Sequence, residues 1–469
     1  MAEQAARSPA PAVRRHGVNV FAEGKPMWQL LLVFLVPLML SNVLQSASQT
    51  MASIWIGRLI STEALAAISA VFPLMFFLVS FVIGISSGST ILIGQAFGAG
   101  DHRRVKKIAG TVIAAAFYLG IVVAVVGTAI SPEVLAFLAT PSNIIAQSDA
   151  YAKVLFLTMP LLFPYLVYTT ALRGTGDSTT PFYALIVSSI LTIFITPLLI
   201  VGWFGLPKLG VVSAAVSGFV ANGIALVWML SYLRMRKHPL LFDREMFQDM
   251  RIDWPILWMV VRIGVPAGLQ FVMVSLAEIA VISFVNRFGS PATAAYGAVN
   301  QVASYVQLPA MSIGIAVSIF GAQCIGAKRN DKLGSVIRSA VGLNYAIGAV
   351  LIALCYIFAW DILGWFITNK ETLDIAHGLL MITLWSYVVF GNNAVLGGIM
   401  RGSGDVVWPT VISIFSIWGI EVPAAYLLMR HVGLDGVWMG YPIAFCGGLI
   451  LQFSYYELVW KRKTHERFV

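Results

Sequence analysis

Long apolar runs alternate with short polar breaks along almost the whole 469-residue chain. The runs predict twelve helices, at about 28–56, 64–97, 108–130, 150–172, 181–202, 210–233, 255–285, 292–325, 336–360, 376–400, 409–430 and 436–460. Runs of about 20 apolar residues are long enough to cross a bilayer. The longer ones predict helices that tilt or project past the lipid. Prolines inside the runs, such as Pro37, Pro73, Pro160, Pro164, Pro197, Pro266, Pro309, Pro423 and Pro442, are tolerated where neighbouring helices re-satisfy the freed backbone groups. The expected fold is therefore an all-α polytopic membrane protein. A mixed-charge stretch at 234–254 divides it into a tail (1–27), helices 1–6 (28–233), a linker (234–254), helices 7–12 (255–460) and a second tail (461–469).

Composition narrows the class. Hydrophobic residues make up 59% of the chain and charged residues 11%, against about 25% charge in a soluble domain. Mean hydropathy is +0.85. A soluble enzyme, a disordered chain and a secreted disulfide scaffold are excluded. The net charge of +9 has a positional explanation. Six basic residues, Arg58, Lys153, Lys208, Arg287, Lys370 and Arg430, fall on the odd connections. The other 24 of the 30 fall at the termini and even connections. An excess of Lys and Arg marks the cytoplasmic side, so both termini are expected there and no nucleic-acid partner is needed. Arg14 and Arg15 precede an apolar run too long for a cleaved signal core,. Cys324, Cys355 and Cys446 sit in apolar stretches without C-x-x-C spacing, which predicts neither disulfide nor zinc site. His377 and His431 lie near span ends, so no metal cluster is expected. The G-x-x-x-x-G-K-[ST] phosphate loop is missing from the sequence,. No ATP site is expected, and uphill transport would draw on an ion gradient. Nucleophile–base pairs for catalysis are not visible either, so an enzyme is not expected.

The two halves repeat. Arg173-Gly174-Thr175-Gly176-Asp177 with Pro181 matches Arg401-Gly402-Ser403-Gly404-Asp405 with Pro409, and Gln95, Gly98 and Ala99 match Gln323, Gly326 and Ala327, all at an offset of 228. Val36-Pro37 matches Val265-Pro266 at 229, and Pro197 and Gly210 match Pro423 and Gly436 at 226. Six spans per copy make the repeats parallel, a plan in which transporters place a substrate path between the halves. The R-G-[T/S]-G-D segments read as tight turns: Arg173 and Arg401 at a helix end, a left-handed glycine, and Asp177 and Asp405 capping the next helix.

Polar groups inside spans are costly and therefore informative. Asn42, Gln45, Ser46, Gln49 and Ser53 form one stripe on span 1, and Asn300, Ser304 and Gln307, with Met311 below, form another on span 8. Both read as cavity lining. Glu278 in span 7, sharing a face with Gln270 and Ser275, and Glu421 in span 11 are the two deep carboxylates. Carboxylates away from bulk water can exchange a proton or pair with a cation, so these two are the candidate coupling groups. Tyr168 and Tyr387, beside prolines or polar residues, are candidate stacking surfaces for flat organic cations.

With these residues in place, the chain resembles the multidrug and toxic compound extrusion transporters of prokaryotic type. The resemblance runs from about Trp28 to Trp460. It rests on Pro37, Gly57-Arg58, the Gln95–Asp101 segment, both R-G-[T/S]-G-D turns and the segment from Pro423 to Leu428, in that order and duplicated spacing. It implies two six-helix lobes in a V shape and alternating access in an inner-membrane monomer. It also implies export of small organic compounds, cationic and amphipathic ones above all, in exchange for protons or sodium, without a cofactor. Many prokaryotic members carry an Asp late in span 1, where this chain has Ala52. The span-7 Glu of sodium-coupled relatives falls near Val274, and their span-10 Asp near Phe390. Glu278 looks like the glutamate eukaryotic members keep in span 7. The resemblance thus moves the coupling role to the second half, with protons favoured over sodium. A lipid-linked oligosaccharide flippase of the same superfamily is the alternative. It would need a cationic cavity, whereas the basic residues lie at span ends, with Arg262 near the cytoplasmic mouth.

Overall fold

The computed structural model describes residues 18, 20–21, 24–138, 140–205 and 207–468. Most of the 1–27 tail, Arg14 and Arg15 included, lies outside the described residues. The helices are α1 (Met27–Leu59), α2 (Thr62–Gly98), α3 (His102–Phe137), α4 (Ile145–Gly174), α5 (Thr179–Val201), α6 (Ser213–Arg236), α7 (Arg244–Asp249), α8 (Trp254–Val285), α9 (Ser290–Gly326), α10 (Leu333–Ile357), α11 (Ala359–Gly364), α12 (Lys370–Thr383), α13 (Ser386–Gly402), α14 (Val407–Phe415), α15 (Val422–Val432) and α16 (Leu434–Leu458). Among the described residues, eleven segments are long and apolar enough to cross a membrane, and twelve if α12 and α13 form one span bent by 42°. Short polar side chains set several starts. Ser61 accepts from the Ala64 N–H at 3.1 Å, Asp101 from Arg104 at 2.9 Å and Asp253 from Ile256 at 3.2 Å, satisfying amides that open a helix.

The structure departs from the periodicity in places. The Asp101 cap carries α3 through His102–Lys107, so it runs well beyond the expected 108–130. Span 10 is broken at Leu384–Trp385. In span 11, Pro423 withholds a helical N–H, and the preceding Ser416–Glu421 widens into a π-helical turn between α14 and α15,. The two longest helices, α2 and α9, have 37 residues each. That is about 55 Å at 1.5 Å per residue, so each projects beyond a bilayer core. Val33, Phe72, Val125, Phe194, Val227 and Ile450 point outward, an apolar periphery suited to lipid rather than water.

The first helix of each half is shared between halves. The start of α1 (Leu31, Phe34, Leu38) is buried against Val317, Phe320 and Val395 of the second half. Its far end, at Ile56, packs on Ala64, Ile200 and Val211 of the first half. The α8 helix mirrors this: Val260 and Ile263 join the core around Val105 and Met229, and Val281 and Val285 join Ala295 and Val299. Both ends of the described chain lie on one face. The Val18 N–H donates to Gly176 O at 3.0 Å, and the Phe468 N–H donates to Gln95 Oε1 at 2.9 Å. This is called the terminal face below.

The linker is fastened to the first half. Lys106 and Lys107 pair with Asp243 and Asp253, each at 2.6 Å, and Met246 is buried in the first-half core. The Lys107 hydrogen bond, with the Ile256 N–H, holds Asp253 below the usual carboxylate range. Burial pushes Asp243 up, but the Lys106 bond and the Met246 N–H outweigh it and leave it lowered. A lowered folded-state value stabilises docking above the ordinary carboxylate range, and that contribution is lost as pH falls through the folded value. Hydrogen exchange over residues 240–251, corrected for intrinsic rates, should therefore accelerate on acidification below about pH 4. Exchange that stays constant from pH 6 to 3 would contradict this docking.

Candidate functional site

The repeated turns lie on the terminal face. Gly176 and Gly404 hold φ of +88° and +86°, a region glycine enters without a Cβ penalty. Asp177 caps α5 as the sequence suggests. Its Oδ1 accepts from the Thr179 and Thr180 N–H groups at 3.0 and 2.9 Å, and its Oδ2 from Thr180 Oγ1 at 2.5 Å. Asp405 does not repeat this. It accepts instead from the Tyr455 hydroxyl at 2.7 Å and Lys463 Nζ at 3.1 Å, because the C-terminal residues run beside it. Arg173 and Arg401 are half-buried at the ends of α4 and α13, next to Gly174 and Gly402.

Gln95 and Gln323 mark the repeat in sequence, and in space each reaches into the other copy. Gln95 Nε2 donates to Gly402 O at 3.2 Å, and Gln323 Nε2 to Gly174 O at 3.0 Å. Their helices meet backbone to backbone. A Cβ on Gly98 would stand 2.1 Å from Gln323 O, and one on Gly326 1.9 Å from Gln95 O. Contacts between the halves continue up to Gly84 against Gly268 and to Asn42, whose Nδ2 donates to Ser312 Oγ at 3.0 Å. Beyond that level Gln45, Gln49 and Ser53 of α1 and Asn300 of α9 are exposed. The terminal face is sealed, and the polar stripes open toward the opposite face.

The two carboxylates come together in the second half. Glu278, exposed on α8, and Glu421, 6% exposed at the end of the π-helical turn, are near enough for their charges to interact. Tyr296 and Tyr387 lie within charge range of both carboxylates, and Tyr441 within charge range of Glu421. The Tyr296 and Tyr441 hydroxyls are 2.9 Å apart, and Asn300 follows Tyr296 by one turn of α9. Trp438 stacks on Tyr296 with centroids 5.7 Å apart, and Phe445 lies 5.5 Å from Tyr387 and 5.3 Å from Phe390. The Trp418 indole donates to Met273 O at 3.1 Å and ties the π-helical turn to α8. Acidic groups with aromatic faces nearby attract a cation by charge and by the ring quadrupole.

Other residues singled out in the sequence are placed variously. Ser46, Gln270, Ser304, Gln307 and Met311 are half-buried. Ser53 bonds back to Gln49 O at 3.1 Å. Asn42 joins the two halves rather than standing open. Tyr168 is corrected: it is 2% exposed, and its hydroxyl donates to Leu240 O at 2.6 Å. Its polar end serves the linker, not a cavity. Tyr387 belongs to the carboxylate cluster. The sequence reading missed Tyr296, Tyr441, Trp438 and Phe445. Tyr296, one turn before Asn300, and Tyr441, next to Pro442, carried the available signal.

Comparison with known proteins follows the same lines. The MatE family model matches twice, over residues 37–198 and 266–427. The chain is 52% identical over 450 residues, 95% of its length and 97% of the relative's, to the probable multidrug resistance protein YoeA of Bacillus subtilis. It is 25% identical to the probable multidrug resistance protein NorM of Thermotoga maritima, over 86% of this chain and 87% of the relative. In fold it is similar to a point mutant of the Vibrio cholerae MATE transporter VcmN, with a TM-score of 0.85 at 19% identity over 93% of this chain and 98% of that one. It is also similar to a multidrug resistance MATE transporter in an outward-facing conformation, with a TM-score of 0.83 at 20% identity over 91% and 94% of the two chains.

Proposed function

We propose a function from one premise: the chain belongs to the MatE family, the multidrug and toxic compound extrusion transporters. It is a multidrug exporter of the inner membrane, with both termini and the terminal face in the cytoplasm, a reading that the distribution of Lys and Arg supports. With the sealed terminal face read as cytoplasmic, the open polar stripes read as facing outward. Organic, amphipathic cations leave through the space between the halves, in exchange for protons. The carrying observation is the proximity of Glu278 and Glu421, with Tyr296, Tyr387 and Tyr441 nearby. A buried carboxylate with a second, exposed carboxylate nearby favours a proton or a cation at the pair. A proton entering from the outer side would displace a bound cationic substrate. A cationic substrate arriving from the cytoplasm would displace the proton. Each ligand therefore biases the same two-state equilibrium by binding one state better. In this reading the tyrosines offer their faces to the substrate's rings, while the α1 and α9 stripes solvate its polar groups. The acidic character of this niche does not favour the flippase alternative.

The test is dye export in proteoliposomes with separately imposed gradients. Inwardly directed proton entry should drive ethidium out, with no response to sodium. Export driven by sodium alone would replace the proton in this scheme. A protein that responds to neither gradient would overturn it.

A further inference from the structure

The C-terminal residues after α16 make contacts that neither the export chemistry nor the helix bundle requires. They are anchored in the second half. The Trp460 indole donates to Ser403 Oγ at 2.8 Å, the His465 ring stacks on Trp460 at 4.1 Å, and Lys463 Nζ bonds both Asp405 Oδ2 and the Tyr455 hydroxyl at 3.1 Å. From that anchor the chain crosses the seam. The Phe468 N–H donates to Gln95 Oε1 of α2 at 2.9 Å, and the Phe468 ring covers Gly404, leaving no room for a Cβ there. Gln95 is fully buried. Its amide thus holds two second-half groups at once: its NH2 end the Gly402 carbonyl, and its oxygen the Phe468 amide. Parting α2 from α9 and α13 requires breaking both.

We propose that the C-terminal segment 464–468 is a strap across the cytoplasmic seam that holds the protein in its cytoplasm-closed state. The strap explains why Asp405 abandons the helix-capping role that Asp177 keeps. Its carboxylate is committed to the base of the strap. Gly404 has a second reason to be glycine, since the Phe468 ring occupies the place of its side chain. The strap's energy is present only while the halves touch, so it slows return of the empty carrier to the cytoplasm-open state. The strap rests on the transporter reading for its consequence only, because its contacts are independent of what is exported.

The experiment reads the distance between halves instead of transport, so its failure and the failure of the export reading are distinguishable. Spin labels are placed by Arg103→Cys and Gly334→Cys, both at exposed positions on the terminal face, in full-length protein with Cys324, Cys355 and Cys446 replaced by alanine. Their distance distribution is measured by pulsed dipolar spectroscopy. Removing residues 464–469, or Phe468→Pro, which deletes the N–H that Gln95 accepts together with the ring over Gly404, should raise the long-distance population at least about 2- to 10-fold, the range for the one net hydrogen bond that both variants lose. An unchanged distribution in both variants overturns the strap. If the shortened chain does not accumulate, Phe468→Pro decides alone.

Discussion

Glu421→Gln is expected to reduce gradient-driven dye export to the passive background while leaving the amount of membrane-inserted protein unchanged. The amide matches the carboxyl group in size, and burying it among Tyr296, Tyr387 and Tyr441 costs no more than burying the acid. It cannot take up or release a proton, so the exchange of substrate for ion fails at the deeply buried carboxylate of this cluster. Glu278→Gln should also impair export, because the exposed partner admits the ion and the substrate to the buried one. Glu457→Gln serves as a control: Glu457 lies outside the cluster and pairs at the surface with Lys461 at 3.1 Å, so its export should match the parent. The assay is ethidium efflux from everted vesicles, normalised to protein level. Full efflux by Glu421→Gln would remove that residue from the mechanism.

Gly326→Ala should have an effect of similar size by a different route. The added methyl group would stand 1.9 Å from Gln95 O, a separation that closed packing does not allow. Helices α2 and α9 must move apart, weakening the Gln95–Gly402 and Gln323–Gly174 bonds together. Overpacking of this kind costs about 1–3 kcal/mol, which moves a two-state equilibrium by roughly 5- to 150-fold. The variant should therefore rest with the terminal face open and turn over slowly. Gly98→Ala, 2.1 Å from Gln323 O, should behave alike. Spin labels at positions 103 and 334 would report the long distance in both variants. A closed distance with normal export would mean that this contact does not gate.

Much of the fold was legible because lipid imposes length and apolarity on every span, and the duplication left matching motifs at nearly constant offsets. The breaks were less legible. The bend at Leu384–Trp385 has no proline at the break, and the π-helical turn at Ser416–Glu421 shows only as Gly419 and Pro423 in an otherwise apolar run. The deep acids were legible, since a carboxylate in a span stands out. Their tyrosine neighbours were not, because tyrosine in a span reads equally well as packing or interfacial belt. Tyr168 shows the ambiguity in reverse: its hydroxyl serves the linker. Gln95 and Gln323 were visible as a repeat, but identity between copies gives no sign that each side chain reaches across to the other copy's turn.

The central claim is that substrate and coupling ion compete for the Glu278–Glu421 pair. Proton release on ethidium binding, followed with a pH-sensitive dye in weakly buffered detergent solution, tests it most directly. The parent protein should release protons in proportion to bound dye, and the Glu278→Gln/Glu421→Gln variant should release none. Equal release by both proteins would contradict the claim.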